Sequence, residues 1–342
     1  MLIVGLTISH MKYLNPSIMP LFIKSLFLIV LSAIVGSHTL LANDDELEID
    51  PDWQKQKNAP YTKKGADRCL KCHDEDNEYP ILPIFRSKHG QQSDPRSPMA
   101  GLQCEACHGP GANHAKKVRR GKLRAPIINF GKKSNAPVEV QNKMCLQCHT
   151  THARMGWQGS SHEQNGLACA NCHRLHVAKD PIFKKSGQPN VCFKCHKRRQ
   201  SEFQRSSSHP VRFGEMKCTN CHNTHDAMAD KLIDASNKNE KCYECHAEKR
   251  GPFLWEHQPV VEDCTVCHTP HGSNHGALLK KTTPFLCQQC HTLDNDHANS
   301  AYSGEDLPTN NSNAKFTAIK SCLNCHSRIH GSNHPSGVRF NR

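Results

Sequence analysis

The stretch Cys192-Phe193-Lys194-Cys195-His196, then His209, Cys218-Thr219-Asn220-Cys221-His222 and His225, decides how this sequence is read. It holds two Cys-x-x-Cys-His motifs with one histidine between them and one just after the second. The same layout recurs on either side. Upstream it is Cys145, Cys148 and His149, then His162, then Cys169, Cys172 and His173, then His176. Downstream it is Cys242, Cys245 and His246, then His257, then Cys264, Cys267 and His268, then His271. Looser copies stand at the two ends. One is Cys69, Cys72 and His73, His89, Cys104, Cys107 and His108, His114. The other is Cys287, Cys290 and His291, His297, Cys322, Cys325 and His326, His330. Successive first motifs are 76, 47, 50 and 45 residues apart, the mark of a repeat array.

The motifs consume all 20 cysteines. Disulfides in an exported chain explain an even cysteine count, and zinc sites use Cys-x-x-Cys. Neither explains a histidine directly after every second cysteine. Covalent haem c does: two thiols add to the two vinyl groups of the haem. Positions i, i+3 and i+4 share one face of a helical turn, so the histidine lies beneath the iron as proximal ligand. The cofactor expected is ten covalently bound haems c, with iron on His73, His108, His149, His173, His196, His222, His246, His268, His291 and His326.

Of 25 histidines, ten are proximal and two, His10 and His38, lie near the start. The repeat selects ten distal ligands: His89, His114, His162, His176, His209, His225, His257, His271, His297 and His330. His152, His275 and His334 are surplus. His176 cannot reach the distal face of the haem held by His173, because three residues cannot wrap a porphyrin edge. A crossed module is therefore expected, in which the histidine after motif two serves the first haem and the intervening histidine serves the second.

Only 36% of the residues are hydrophobic and 6% aromatic. That is too little for a conventional core of this length, and haem faces are expected to supply the rest. Segments such as Pro95-Arg96-Ser97-Pro98 and Leu307-Pro308-Thr309-Asn310 read as loops. The fold class expected is a haem-organised multihaem cytochrome c. It would be mostly loops with short α-helices, little or no sheet, and an elongated haem array. The longest helices should follow a module's second histidine.

Lys24, the apolar run Ser25 to Val35 and Ala42 read as a signal peptide over residues 1–42. Met11-Lys12 makes a more usual start for it than Met1. Residues 43–68 read as an N-terminal extension, and 69–342 as the decahaem array. Its modules are approximately 69–144, 145–191, 192–241, 242–286 and 287–342. Without Lys12 and Lys24, 42 basic against 31 acidic side chains leave +11. Ten haems would add about 20 propionates, so the basic excess reads as propionate neutralisation and not as nucleic-acid binding. The run Lys116-Lys117-Val118-Arg119-Arg120-Gly121-Lys122-Leu123-Arg124 is denser than that role needs.

From Gly65 to Arg342 the sequence resembles the periplasmic decahaem cytochromes of outer-membrane electron conduits, the MtrA/DmsE type. The ten motifs carry the resemblance. So do Gly65-Ala66-Asp67, Pro98-Met99-Ala100-Gly101-Leu102-Gln103-Cys104, Ala247-Glu248-Lys249-Arg250-Gly251-Pro252, Leu254-Trp255-Glu256-His257 and His330-Gly331-Ser332-Asn333-His334-Pro335-Ser336-Gly337. The basic run, His152 and His275 depart from that pattern. The resemblance implies a periplasmic protein associated with the outer membrane through a β-barrel porin. Its donor would be an inner-membrane or periplasmic cytochrome. Its acceptor would be an extracellular multihaem cytochrome or a terminal reductase, in anaerobic respiration of metal oxides or dimethyl sulfoxide.

The residues alone point the same way. An iron with two histidines has no open site for a substrate, so it exchanges electrons. A line of such centres inside a barrel would cross a bilayer of about 40–45 Å. The alternatives are a periplasmic electron shuttle or store and a multihaem reductase. The reductase would need an iron with a free face, and no motif here lacks its histidine.

Overall fold

The computed structural model describes residues 55–76, 79–131, 133–134, 136–151, 156–226, 230–291 and 321–341. The anticipated signal peptide, His152 and His297 lie outside the described residues. From Lys55 to Arg342 the chain forms one compact unit. The segment read as an N-terminal extension belongs to it from Lys55 on. Gln56 Nε2 donates to the His108 carbonyl at 3.2 Å, and the Thr62 hydroxyl donates to Glu105 at 2.8 Å. The Ala112 N–H donates to the Pro60 carbonyl at 3.1 Å.

Among the described residues there is no strand. Four isolated antiparallel bridges stand in its place: Ser207 with Ser273, His222 with Ile233, Trp255 with Ser332 and His268 with Leu279. Helices are short. Among the described residues the longest, Val138–Leu146, has nine residues. It follows His114 and runs into the Cys145 motif, as Gln188–Cys192 runs into the Cys192 motif and Lys238–Tyr243 into the Cys242 motif. Second motifs sit on single turns, such as Cys218–Asn220 and Cys264–Val266.

Hydrophobic burial is sparse. Phe193, Phe203 and Val211 form one small cluster, with Met216 against it. Buried amides tie the two motifs of a pair together. Asn142 accepts from the Cys169 N–H at 2.8 Å and donates to the Leu167 carbonyl. Asn239 accepts from the Cys264 N–H at 2.8 Å and donates to the Val260 and Val261 carbonyls. Gln188 accepts from the Thr219 N–H at 3.0 Å. All three amides are buried. Each stands three or four residues before the first cysteine of its pair, so the lead-in helix aims it at the second motif. Asn239→Ala would strand one N–H and two carbonyls. It should destabilise the protein by about 1–3 kcal/mol, measured as a lowered denaturant midpoint.

Candidate haem-binding sites

In all ten motifs the histidine N–H donates to the carbonyl of the first cysteine, at 2.9–3.1 Å. That single helical turn sets both thiols and the imidazole on one side of the backbone. The first cysteines of the two motifs in a pair are neighbours. Their thiols interact in the pairs Cys69–Cys104, Cys145–Cys169, Cys192–Cys218, Cys242–Cys264 and Cys287–Cys322. Hydrogen bonding from the partner thiol lowers Cys104 and Cys218 to about 7 and raises Cys69 and Cys192. None of the twenty is in a disulfide.

Nine proximal histidines each face a distal one. The pairs, with ring-centroid separations, are His73–His114 at 6.4 Å, His108–His176 at 6.0 Å and His149–His89 at 5.9 Å. Next come His173–His225 at 6.1 Å, His196–His162 at 6.2 Å and His222–His271 at 6.0 Å. The series ends with His246–His209 at 6.4 Å, His268–His330 at 6.2 Å and His291–His257 at 6.2 Å. A metal–imidazole bond of about 2 Å on each side of an iron places two ring centroids about 6 Å apart. The separations therefore match two axial ligands sharing one iron.

The hydrogen bonds fit the same group. A haem ligand coordinates through one ring nitrogen and donates from the other, which fixes its tautomer. Here Nδ1 donates and Nε2 is left for metal. His108 donates to the Ile128 carbonyl at 2.6 Å, His222 to Lys231 at 3.0 Å and His268 to Ala277 at 2.7 Å. His326 donates likewise to the Arg339 carbonyl. Among the histidines expected as distal ligands, His114 donates to Ala125 at 2.8 Å, His162 to Thr224 at 3.0 Å and His209 to Pro270 at 2.7 Å. His173 differs, donating to the Asp180 carboxylate at 2.9 Å. Lys231 and Ala277 occupy the left-handed region, φ 52° and 51°, which turns their carbonyls back onto the proximal rings. Burial lowers the basicity of His89, His108, His176, His222, His257 and His330, and brings His271 to about 4. Neutral imidazole is the form that binds metal.

The pairing corrects the crossed module. His114 does face His73 within its own module. His89, however, faces His149 of the next module and not His108. His176 faces His108 of the preceding module, and His162 faces His196 of the following one. The pattern holds along the chain. His89, His162, His209 and His257 each reach forward to the first motif of the next module. His176, His225, His271 and His330 each reach back to the second motif of the previous one. Backbone contacts accompany the exchange. Ser207, two residues before His209, bridges Ser273, and Trp255, two before His257, bridges Ser332. The receiving segments are His271-Gly272-Ser273-Asn274-His275 and His330-Gly331-Ser332-Asn333-His334, the same pentapeptide twice. The φ of +148° at Gly272 brings its Cα against the Glu202 carbonyl, where a Cβ would collide at 2.0 Å.

Among the surplus histidines, His334 Nδ1 accepts from the Ser336 N–H at 3.1 Å. The His275 N–H donates to the Ser273 hydroxyl at 2.9 Å. Neither makes a ring contact with a proximal histidine among the described residues. The buried amides and Asp180 were missed by sequence reasoning. A lone Asn, Gln or Asp carries no spacing signal.

Comparison with known proteins agrees with this chemistry. A family model described as a doubled CXXCH motif matches residues 209–251 and 257–295. Models for NrfB-like c-type cytochromes and for cytochrome c554 and c-prime match residues 104–188 and 41–109. The chain is 48% identical over 283 residues to the multiheme cytochrome MtrA of Shewanella baltica, covering 82% of this chain and 83% of that protein. It is 28% identical to a high-molecular-weight cytochrome c of Nitratidesulfovibrio vulgaris, over 61% of this chain and 35% of that protein. It is 26% identical to the cytochrome c-type protein NrfB of Escherichia coli, over 48% of this chain and 78% of that one.

Proposed function

The chain belongs to the MtrA family of multihaem cytochromes and is a haem c electron-transfer protein, and on that premise we propose a single-file relay of ten haems across the outer membrane. The ten Cys-x-x-Cys-His motifs attach the haems. The nine facing histidine pairs and His326 with His297 supply the axial ligands, in five two-haem modules. Each haem when bound supplies a one-electron ferric–ferrous couple.

The observation that carries this reading is the reciprocal exchange of histidines between consecutive modules. Among the described residues, the histidine pairs that cross between modules join adjacent modules, so the array is one-dimensional in these connections. Ligand sharing also holds the second haem of one module near the first haem of the next. The exchange rule closes at both ends. His114 turns inward to His73 at the start, and the same rule leaves His297 for His326 at the finish. With a histidine on each side, the chain leaves an iron no face for a substrate.

No described helix is long and apolar enough to cross a membrane. On the likeness to the MtrA family, a relay through the outer membrane would run inside a surrounding β-barrel porin. The donor would be an inner-membrane or periplasmic cytochrome. The acceptor would be an extracellular multihaem cytochrome or a terminal reductase for metal oxides or dimethyl sulfoxide. Export to the periplasm would rest on residues 1–42.

The test is purification of the native complex followed by intact mass and reconstitution in vesicles. The reading expects a mass excess of ten haems, co-purification with a barrel protein, and reduction of the enclosed acceptor by an external donor. A haem-loaded chain recovered without any barrel, and unable to move electrons across vesicles when mixed with one, would sink the conduit.

A further inference from the structure

The second motifs give their proximal histidines a consistent hydrogen-bond partner, with one exception. His108, His222, His268 and His326 each donate Nδ1–H to a backbone carbonyl, which is neutral. His173 donates instead to Oδ2 of Asp180 at 2.9 Å. The carboxylate comes from a side chain seven residues on, where the corresponding carbonyls at Lys231 and Ala277 come nine residues on.

The contact is built. Asp180 side-chain exposure is 9%. Its second oxygen, Oδ1, accepts from the Ile182 N–H at 3.2 Å, which fixes the carboxylate plane. Pro181 opens the turn Pro181–Phe183. The Phe183 ring lies 5.8 Å from the His173 ring and covers it from the side. Gln188 Nε2 clamps the turn through the Ile182 carbonyl at 2.9 Å, and the same amide reaches Thr219. The turn passes so close to Gly187 that a Cβ there would meet the Pro181 carbonyl oxygen at 2.6 Å. Among the described residues, other acidic groups stand farther from axial-candidate rings than Asp180 does: Glu248 at 3.6 Å from His246, on an exposed surface, and Glu202 at 3.7 Å from His271.

We propose that Asp180 is a positioning residue that sets the reduction potential of the haem on Cys169 and Cys172 below those whose second-motif histidines face carbonyls. The proposal rests on the reading that His173 and His225 are the axial pair of that haem. A hydrogen bond to an anion is roughly twice as strong as one to a neutral acceptor. It draws the Nδ1 proton toward the carboxylate and makes the ring a more basic ligand. A more basic ligand favours ferric over ferrous iron, so the potential falls. In the relay this haem would be the last of the second-motif haems to fill with electrons.

Asp180→Asn keeps the acceptor oxygen and its reach but removes the charge. Potentiometric titration of the fully loaded protein, followed by haem-resolved NMR, should show one haem moving to higher potential. The other nine should stay in place, with every haem still low-spin. Asp180→Glu should restore part of the fall. If Asp180→Asn leaves all potentials unchanged while the haem at Cys169 and Cys172 stays low-spin, the proposal is wrong. If that haem is already high-spin in the unaltered protein, the ligation reading fails instead.

Discussion

Replacing His176 with Ala should open the haem on Cys104 and Cys107, a motif 68 residues upstream, and leave the haem on Cys145 and Cys148 six-coordinate. His176 faces His108 at 6.0 Å, whereas His149 faces His89. One haem in ten would lose its distal ligand and turn high-spin, so about one tenth of the reduced haem absorbance should respond to carbon monoxide. The unaltered protein should give almost no response. Stability should fall, but the array should hold. A cross-link closing a loop of this size contributes up to about 4 kcal/mol. Here the His89–His149 link still joins the same two modules, so the second closure is worth less than the first. His89→Ala with His176→Ala should cost more than the two singles combined, measured by denaturant unfolding of the loaded protein.

Making the chain without covalent haem should abolish the fold. Among the described residues, the buried apolar side chains are Ala66, Met99, Ile128, Ala136, Trp157, Ala168, Phe193, Phe203 and Val211. Burying a large apolar side chain is worth about 1.5–3 kcal/mol, and ordering each residue costs about 1–2 kcal/mol. Nine such residues, three of them alanine, cannot offset the ordering of a unit running from Lys55 to Arg342. Meanwhile Phe183, Phe213 and Phe285 are well over half exposed, as expected of side chains whose partner is a porphyrin face. Expression without the haem-attachment machinery should give a chain cut rapidly by protease, with no cooperative thermal transition. A sharp melt for the haem-free chain would contradict this.

Much of the site was legible because chemistry fixes it locally. Thioether attachment requires two thiols three residues apart and a histidine beside the second, and the backbone turn Cys69 to His73 repeats in all ten motifs. The scarcity of Leu and Phe between motifs correctly implied short helices and loops. The repeated placement of histidines between and after the motifs marked out a set of distal candidates, and nine of them face a motif histidine. Their wiring was not legible. Local geometry excludes His176 from the haem beside it, but it does not say whether the ligand goes to its own module or to the one before. That choice is made by contacts distant in sequence: Ser207 with Ser273, Trp255 with Ser332, and the Thr224 and Pro270 carbonyls on His162 and His209. Asn142, Gln188 and Asn239 were invisible for a related reason. A buried amide looks like any loop residue until the N–H it satisfies, in a motif 25 or more residues away, is brought to it.

The proposed exchange of axial histidines between consecutive modules sets the order of the whole relay. It is tested most directly by an experimental density map of the haem-loaded protein at a resolution that traces the axial bonds. The expected map has His176 Nε2 on the iron of the Cys104–Cys107 haem, and His162 Nε2 on that of the Cys192–Cys195 haem, each at about 2 Å. A map with His176 on the Cys145–Cys148 haem and His162 on the Cys169–Cys172 haem would contradict it.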